Sequence, residues 1–303
     1  MKILLFGGRG QIGWELQRAL SAFGDLVVLD RHKVDLENSS RIEAVVEAEA
    51  PNIVVNAAAY TAVDRAETDF HKARLVNAVA VESLAHAAFA QKALLIHYST
   101  DYVYDGLKTL AYHESDPTNA MSVYGKTKCE GDEAIVASGC EHLIFRTSWV
   151  HSARGNNFVR KILQLASEKS SLTVVADQLG APTGAEMIAD ITALAIARRH
   201  SALALQSGLY HLASSGSTSW HQFACFIVRE ALLRGCNLRA RPETIMPISS
   251  SEFQAPAPRP RNSVMDTSKL SSALKITLPD WTHHARRTVS EILESRGAWH
   301  VKG

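Results

Sequence analysis

The sequence predicts an α/β fold in which a doubly wound parallel sheet carries helices on both faces. Through the first 150 residues, short apolar runs alternate with longer amphipathic segments. This alternation is typical of βαβ units, which build parallel sheets. After residue 150, glycine, proline, serine and asparagine become frequent between helical segments. We therefore predict a sheet domain over residues 1–150 and a smaller region over 151–303, some segments of which return to the sheet domain.

The apolar runs predict the strands, since each has four or five residues and most are rich in Val, Ile and Leu. The predicted strands are 2–6, 26–29, 53–56, 94–97 and 143–146. Helical spacing of apolar residues follows in segments 11–23, 42–46 and 75–89. Segments 172–176 and 209–212 either extend the sheet or belong to the C-terminal region. Prolines predict a loop over 253–262, and a final helix is predicted over 279–295.

The composition excludes several classes of protein. The chain has 303 residues, 46% of them hydrophobic and 21% charged, which is typical of a globular protein. Lys and Arg number 32 against 31 Asp and Glu, so a nucleic-acid partner is not expected. No apolar run approaches the ~18 residues of a membrane span. The four cysteines form no Cys-x-x-Cys pair, and we expect a reducing, cytoplasmic compartment.

Three glycines follow the first predicted strand and lead into the first predicted helix. Gly7, Gly10 and Gly13 allow a tight turn and let backbone amides approach a pyrophosphate at a helix N-terminus. Asp30, at the end of the second strand, suits a ribose 2′-hydroxyl. These features predict a Rossmann-type, dinucleotide-binding domain, although the glycines are also compatible with a plain turn. Asp30 favours NADH, while the adjacent Arg31 leaves NADPH open.

A tyrosine and a lysine four residues apart suggest acid–base chemistry. Tyr124 and Lys128 share one face of a predicted helix. A lysine ammonium beside a phenol favours the phenolate, so we expect Lys128 to lower the pKa of Tyr124. Thr100 follows the fourth strand, where a hydroxyl can polarise a carbonyl beside the tyrosine. A helix cap or a turn is the alternative role of this hydroxyl.

Several segments together resemble the extended short-chain dehydrogenase/reductase family. These segments are 10–16, 98–104, 146–150, 156–158, 177–183 and 259–263. The resemblance implies a reductase that transfers hydride from NADPH or NADH to the 4-keto group of a dTDP-linked 6-deoxysugar. It implies Thr100, Tyr124 and Lys128 as the catalytic set.

The resemblance also implies ligand contacts. With the glycine motif, the expected cofactor contacts are Gly7, Gly10, Gln11, Ile12, Gly13, Asp30, Asp35, Leu36, Ala59, Tyr60, Thr61, Tyr98, Tyr124 and Lys128. Expected substrate contacts are Thr100, Asp101, Trp149, Asn156 and Arg259. Arg259 is a candidate, with Arg261, because guanidinium groups match diphosphate oxygens. Trp149 either stacks on the sugar or base or belongs to the core, and Asn156 and Asn157 either bind hydroxyls or cap a helix.

The resemblance further implies a homodimer. Glu15, Glu186 and Glu291 align with acidic positions that hold structural magnesium between subunits in this family. Solvated glutamates are the alternative. Two other functions stay open: a nucleotide-sugar epimerase or dehydratase of the same superfamily, and a non-catalytic regulatory subunit that binds nucleotide. The retained Thr100, Tyr124 and Lys128 argue against the regulatory subunit.

Overall fold

The structure, a computed structural model, describes residues 1–295. Its twelve strands are β1 Lys2–Phe6, β2 Asp25–Leu29, β3 Ile53–Asn56, β4 Leu94–Thr100, β5 His142–Thr147, β6 Val150–His151, β7 Leu172–Val175, β8 Leu179–Gly180, β9 Thr183–Gly184, β10 Gly208–His211, β11 Thr218–Ser219 and β12 Ile245–Ile248. Six of them form a parallel sheet in the order β10-β5-β4-β3-β1-β2. All five predicted strands lie in this sheet, and the predicted α/β fold is confirmed.

The two later apolar segments have different positions. Strand β10 pairs with β5 and extends the sheet at its edge. This was one of the two alternatives predicted for segment 209–212. Strand β7 instead pairs with β12 in a separate two-stranded sheet. Both runs are short and apolar, so periodicity alone could not distinguish their partners.

The helices cover both faces of the sheet. They are α1 Gln11–Leu20, α2 Ser39–Glu49, α3 Val63–Ala66, α4 Phe70–Arg74, α5 Ala80–Gln91, α6 Val123–Ser138, α7 Phe158–Glu168, α8 Ala185–Ala197, α9 Trp220–Leu233, α10 Ser250–Phe253, α11 Ser268–Leu274 and α12 Trp281–Ser295. Alternate residues of each strand face opposite cores, because side chains alternate along a strand. Leu5 packs with α1, α8 and α11, whereas Leu4 packs with α2, α5 and α6.

A third apolar cluster lies in the C-terminal half. Helices α7, α9 and α12 bury Ile162, Phe223, Ile227 and Val289 against one another and against β7. Helices α8 and α11 pack instead on the main sheet, to which strand β10 belongs. The division near residue 150 stays a prediction. Within residues 1–295, no helix is long and apolar enough to cross a membrane.

Two helical segments differ in detail from the prediction. The segment predicted over 75–89 begins with a π-helical turn, Leu75–Val79, before α5. Single π turns are frequent at functional sites. In the last helix, adjacent histidines differ in exposure: His284 is buried while His283 is exposed. The cause is packing: the side chain of His284 lies against Gly184.

Candidate active site

A groove with a cavity volume of about 580 Å³ opens at the carboxyl ends of strands β1 to β4. This cofactor groove contains nearly all the residues predicted to touch the nicotinamide cofactor. Its predicted lining residues are Gly7, Gly10, Gln11, Ile12, Asp30, Asp35, Leu36, Ala59, Tyr60, Thr61, Tyr98, Tyr124 and Lys128. Ligands of open parallel sheets bind at this edge, because the loops there diverge and leave a crevice.

The glycine motif shapes the floor of the groove. Gly7 has φ of +81°, and a Cβ there would lie 2.6 Å from the backbone nitrogen of Ala58. Gly13 does not line the groove; a Cβ on it would overlap the carbonyl oxygen of Gly7. Gly13 therefore permits close packing of α1 on the loop, Gly7 permits close approach of the loop to Ala57 and Ala58, and Gly7 and Gly10 both line the groove. The cradle fits a dinucleotide pyrophosphate at the N-terminus of α1.

The second strand ends among charged residues. Arg9 Nε lies 2.8 Å from Asp30 Oδ2, and the Asp30 Oδ1 accepts a hydrogen bond from the backbone N–H of His32. Desolvation opposes ionisation of Asp30, but these contacts prevail and lower its pKa. Arg31 also lines the groove. Two guanidinium groups thus accompany one carboxylate where the adenosine ribose is expected.

Helix α6 places Tyr124 and Lys128 on the wall of the groove. The Ser122 hydroxyl accepts from the backbone N–H of Gly125 and caps the helix N-terminus. Lys128 is 1% exposed, and its Nζ donates to the carbonyl oxygen of Tyr98 at 2.7 Å. The same Nζ lies 2.9 Å from His97 Nε2. The spacing in the sequence therefore brings both side chains to one site.

The pKa of Tyr124 differs from the prediction. Burial raises it to about 12, while the Thr100 hydroxyl acts in the opposite direction and Asp101 and Asp132 add to the increase. Burial also lowers the pKa of Lys128 to about 8, against the effect of Asp132. The expected lowering of the tyrosine pKa by Lys128 is absent because desolvation of the phenolate dominates. Tyr124 is therefore protonated at neutral pH, as a proton donor must be.

The predicted hydroxyl lies next to this tyrosine. Thr100, at the end of β4, donates from Oγ1 to Asp101 Oδ1 at 3.0 Å and accepts from the backbone N–H of Tyr102. Asp101 is 2% exposed, and its Oδ2 has no partner among the described residues. Burial raises the pKa of Asp101 to about 6, although the nearby hydroxyls of Ser263 and Thr100 oppose this increase. A polar group of a ligand would satisfy Oδ2.

Comparison with known proteins assigns the chain to a family. The profile described as the RmlD substrate binding domain matches residues 1–294. This chain belongs to the RmlD family. It is 45% identical over 303 residues to the dTDP-4-dehydrorhamnose reductase of Burkholderia thailandensis, with 97% of this chain and 99% of the relative covered. It is 44% identical to the same enzyme of Shigella flexneri, with 96% and 98% covered.

Solved structures of RmlD relatives agree. The dTDP-4-dehydrorhamnose reductase of Clostridium acetobutylicum has a TM-score of 0.89 at 31% identity, over 97% of this chain and 100% of that one. The enzyme of Bacillus anthracis, in complex with NADP, has a TM-score of 0.87 at 31% identity, over 96% and 99%. The prediction of a nicotinamide-dependent reductase is confirmed by this membership.

Two positioning features of this RmlD chain were missed by sequence reasoning. The first is Asn77 in the π-helical turn, which accepts from the backbone N–H of Tyr60 at 2.8 Å and donates to its carbonyl oxygen at 3.1 Å. A second donor bond from Asn77 reaches Thr127 on α6. Asn77 thus holds the Tyr60 segment of the groove against α6.

The second feature is a buried ion pair behind Lys128. Asp132 Oδ2 accepts from Arg146 Nε at 3.2 Å and from Ser99 Oγ at 2.8 Å. Its i,i+4 spacing from Lys128 on α6 was the signal in the sequence, since such residues share a helix face. The carboxylate opposes the loss of the Lys128 charge.

The predicted substrate residues are only partly assembled. Asn156 lines the groove, whereas its neighbour Asn157 caps α7 and donates to Gln11 Oε1 at 2.8 Å. Trp149 stacks on Trp220, with ring centroids 3.4 Å apart. One face of this indole is therefore occupied by the core, and at most the other is free for a sugar or base.

Arg259 lies on the loop after α10. Its Nη2 donates to Asp64 Oδ2 at 2.9 Å, and Asp64 Oδ1 accepts from the backbone N–H of Ala257. The proline-rich loop is thereby attached to α3, close to Thr61 of the groove. Arg261 is exposed.

The three glutamates predicted to hold magnesium come together, but with arginine partners. Glu186 and Glu291 add to the effect of burial in raising the pKa of Glu15. Arg287 pairs with both Glu186 and Glu291 at 3.0 Å, and Arg18 pairs with Glu15 at 3.4 Å. Across residues 1–295, no three His, Cys, Asp or Glu side chains form a group that could hold a metal. Within one chain these carboxylates are paired with arginines, and the magnesium ion between subunits stays a prediction.

Proposed function

We propose that this chain reduces the 4-keto group of dTDP-4-dehydro-6-deoxy-L-mannose, also called dTDP-4-dehydrorhamnose, to give dTDP-L-rhamnose. Its curated relatives carry this activity in their names. The observation that supports it most is the position of Tyr124 and Lys128 together on the wall of the cofactor groove. A phenol and an ammonium there are suited to deliver a proton to a reduced carbonyl. An epimerase and a regulatory subunit are the alternatives.

The mechanism assigns one role to each group. Tyr124, kept protonated by burial, donates its phenolic proton to the oxygen of the substrate ketone. The Thr100 hydroxyl turns its one proton from Asp101 Oδ1 to the same oxygen, which stabilises the negative charge that develops there. Lys128 in its charged form holds the nicotinamide ribose and favours the tyrosinate that remains. The bound nicotinamide supplies the hydride.

The direct test is an absorbance assay with dTDP-4-dehydrorhamnose and NADPH or NADH. Oxidation of the cofactor coupled to formation of dTDP-L-rhamnose is the expected result. Tight nucleotide binding with no turnover would support the regulatory alternative instead. Formation of another 4-keto isomer without net cofactor oxidation would support an epimerase.

We propose NADPH as the preferred cofactor. Arg9 already pairs with the Asp30 carboxylate, and Arg31 adds a second guanidinium beside it. A 2′-phosphate matches guanidinium donors, which form strong charge-assisted hydrogen bonds. Titration in the same assay should give the lower KM with NADPH.

Arg259 is proposed to bind the substrate diphosphate by leaving Asp64. Arg259→Met should raise the KM for the sugar nucleotide by about 10–100-fold, since a hydrogen bond to a charged group contributes about 1.5–3 kcal/mol. The kcat should change little, because the diphosphate is remote from the reacting carbonyl. Arg261→Met, an exposed neighbour, is the matched control. Equal KM values for the two variants would contradict this role.

We propose a homodimer formed through the face of α1, α8 and α12. Carboxylates and guanidinium groups alternate on this face, as in Glu15, Arg18, Glu186 and Arg287. A surface that carries both signs of charge can pair with its own copy around a two-fold axis.

The dimer should persist without metal, because the arginines supply the positive charge. Light scattering should therefore give the mass of two chains both with and without a chelator. Dissociation in the chelator, reversed by magnesium, would overturn this expectation and support the predicted magnesium ion between subunits. Arg287→Glu should weaken the dimer in either buffer.

A cytoplasmic location is proposed as well. All four cysteines are free thiols in the structure, which is typical of a reducing compartment. Labelling of the thiols in intact and in lysed cells would test it.

A further inference from the structure

A fully buried histidine connects Lys128 to the end of strand β3. His97 is 0% exposed, with Nε2 lying 2.9 Å from Lys128 Nζ. On the other side of the ring, Nδ1 lies 3.1 Å from the side-chain nitrogen of Asn56. Asn56 Oδ1 in turn accepts from the backbone N–H of Ala58 at 3.2 Å. The four groups form one continuous chain of hydrogen bonds.

The chemistry of each group fixes the direction of these bonds. The backbone N–H of Ala58 can only donate, so Asn56 must turn its oxygen toward Ala58 and its NH₂ toward His97. An amide NH₂ can only donate, so His97 Nδ1 accepts, and the ring proton of the neutral imidazole is on Nε2. That proton points at Lys128. Lys128 Nζ can accept it only as an uncharged amine, whose own hydrogen is donated to the carbonyl oxygen of Tyr98.

A charged Lys128 requires the opposite arrangement. An ammonium group has no lone pair, so it must donate to His97 Nε2, and the ring proton must then be on Nδ1. Asn56 would have to turn its oxygen toward His97 and give up the N–H of Ala58. Both Asn56 and Ala58 line the cofactor groove. Occupancy of the groove and the charge of Lys128 are therefore linked.

We propose that His97 is a positioning residue that holds Lys128 as an uncharged amine in the empty groove at mildly alkaline pH, so that cofactor binding at that pH takes up a proton. This proposal rests on the proposed function, since it requires a nicotinamide cofactor. On binding, one solvent proton enters, Lys128 becomes an ammonium, and His97 stays neutral with its proton moved from Nε2 to Nδ1. The ammonium can then hold the ribose and favour the tyrosinate.

The charged surroundings agree with this arrangement. Burial lowers the pKa of His97 well below its usual range, so the ring is neutral. The titratable neighbours are Tyr124 and Asp132 on α6, and Asp132 is balanced by Arg146 from β5. With its carboxylate paired, Asp132 only partly opposes the neutral amine.

The first test is ¹⁵N NMR of the intact protein, labelled at histidine and free of cofactor. The spectrum of His97→Gln identifies the His97 signals among those of the 13 histidines. At about pH 9, above the pKa of about 8 that burial gives Lys128, wild-type His97 should be neutral with the proton on Nε2. A proton on Nδ1 in the empty groove would overturn the proposal. This measurement needs no ligand, so it tests the tautomer of His97 even if the proposed function is wrong.

The second test is calorimetry of NADPH binding in buffers of different ionisation enthalpy. At about pH 8.5, wild-type protein should take up about one proton per chain. In His97→Gln the new amide can turn its oxygen toward Lys128 independently of Asn56, so proton uptake should fall. The alkaline limb of kcat/KM should move up by about one pH unit, since the charged lysine is retained to higher pH.

The control is His151→Gln, which changes another buried histidine. His151 contacts Thr288 on α12, away from Lys128. The His151→Gln change should lower stability but leave proton uptake and the alkaline limb of kcat/KM unchanged. Equal behaviour of the two variants would show that His97 has only a structural role. Absence of NADPH binding in the wild type would count against the proposed function instead.

Discussion

Replacing Tyr124 by phenylalanine should lower kcat by about 10²–10⁴-fold, the usual contribution of a positioned proton donor. The change removes only the hydroxyl, so the T-shaped contact with the Tyr102 ring, at a centroid distance of 5.6 Å, should remain. Binding of NADPH should change little. Steady-state kinetics with both substrates saturating measures the loss directly.

The matched control for this variant is Tyr210→Phe. Tyr210 is also a buried phenol, on strand β10 of the main sheet, and its hydroxyl donates to the carbonyl oxygen of Gln206, away from the groove. Its kcat should stay close to that of the wild type. A Tyr124→Phe enzyme as fast as this control would remove Tyr124 from the proton-donating role.

The second large effect is expected for Gly13→Ala. The added methyl group would overlap the carbonyl oxygen of Gly7, which also accepts from the backbone N–H of Gly10. Either α1 moves away from the loop or the Gly7 turn shifts. Overpacking of this kind costs about 1–3 kcal/mol of the free energy of unfolding. A displaced cradle should also weaken NADPH binding at least ~10-fold, as calorimetry would show.

Gly10→Ala provides the comparison for stability. A Cβ at Gly10 would lie 3.3 Å from the Gly7 oxygen and 3.8 Å from the Ala57 oxygen, which small shifts can relieve. Urea unfolding should therefore show a clearly smaller loss for Gly10→Ala than for Gly13→Ala. Equal midpoints for Gly13→Ala and the wild type would mean that α1 does not pack on the loop as described.

The position of the proposed acid–base pair was predictable because both residues belong to one local element. Tyr124 and Lys128 are four apart, and a helix necessarily puts such residues on one face. The glycine motif was predictable for a similar reason, since it immediately follows a strand. The magnesium prediction joined residues from α1, α8 and α12, and the structure pairs each of these carboxylates with an arginine. Their arginine partners depend on how these helices pack.

The contacts of His97 likewise depend on packing that the sequence does not reveal. A polar residue such as His97 inside a buried strand indicates a polar partner, and Ser99 two positions later lies on the same side of β4. Their partners, Lys128 and Asp132, are likewise four apart on α6. The sequence contains both pairs of residues but does not indicate that the helix lies across this strand face.

By itself, the sequence determined five of the six strands of the sheet, the glycine cradle and the spacing that puts Tyr124 and Lys128 on one helix face, because local spacing and hydrophobic periodicity govern these features. Only the tertiary structure decided which strand β7 joins, which partner Arg259 holds, and which way the hydrogen bonds run from Ala58 to Lys128. Such features depend on contacts between residues distant in the chain. Burial then sets the protonation of the titratable groups in these contacts, because the cost of removing a charge from water depends on everything packed around it.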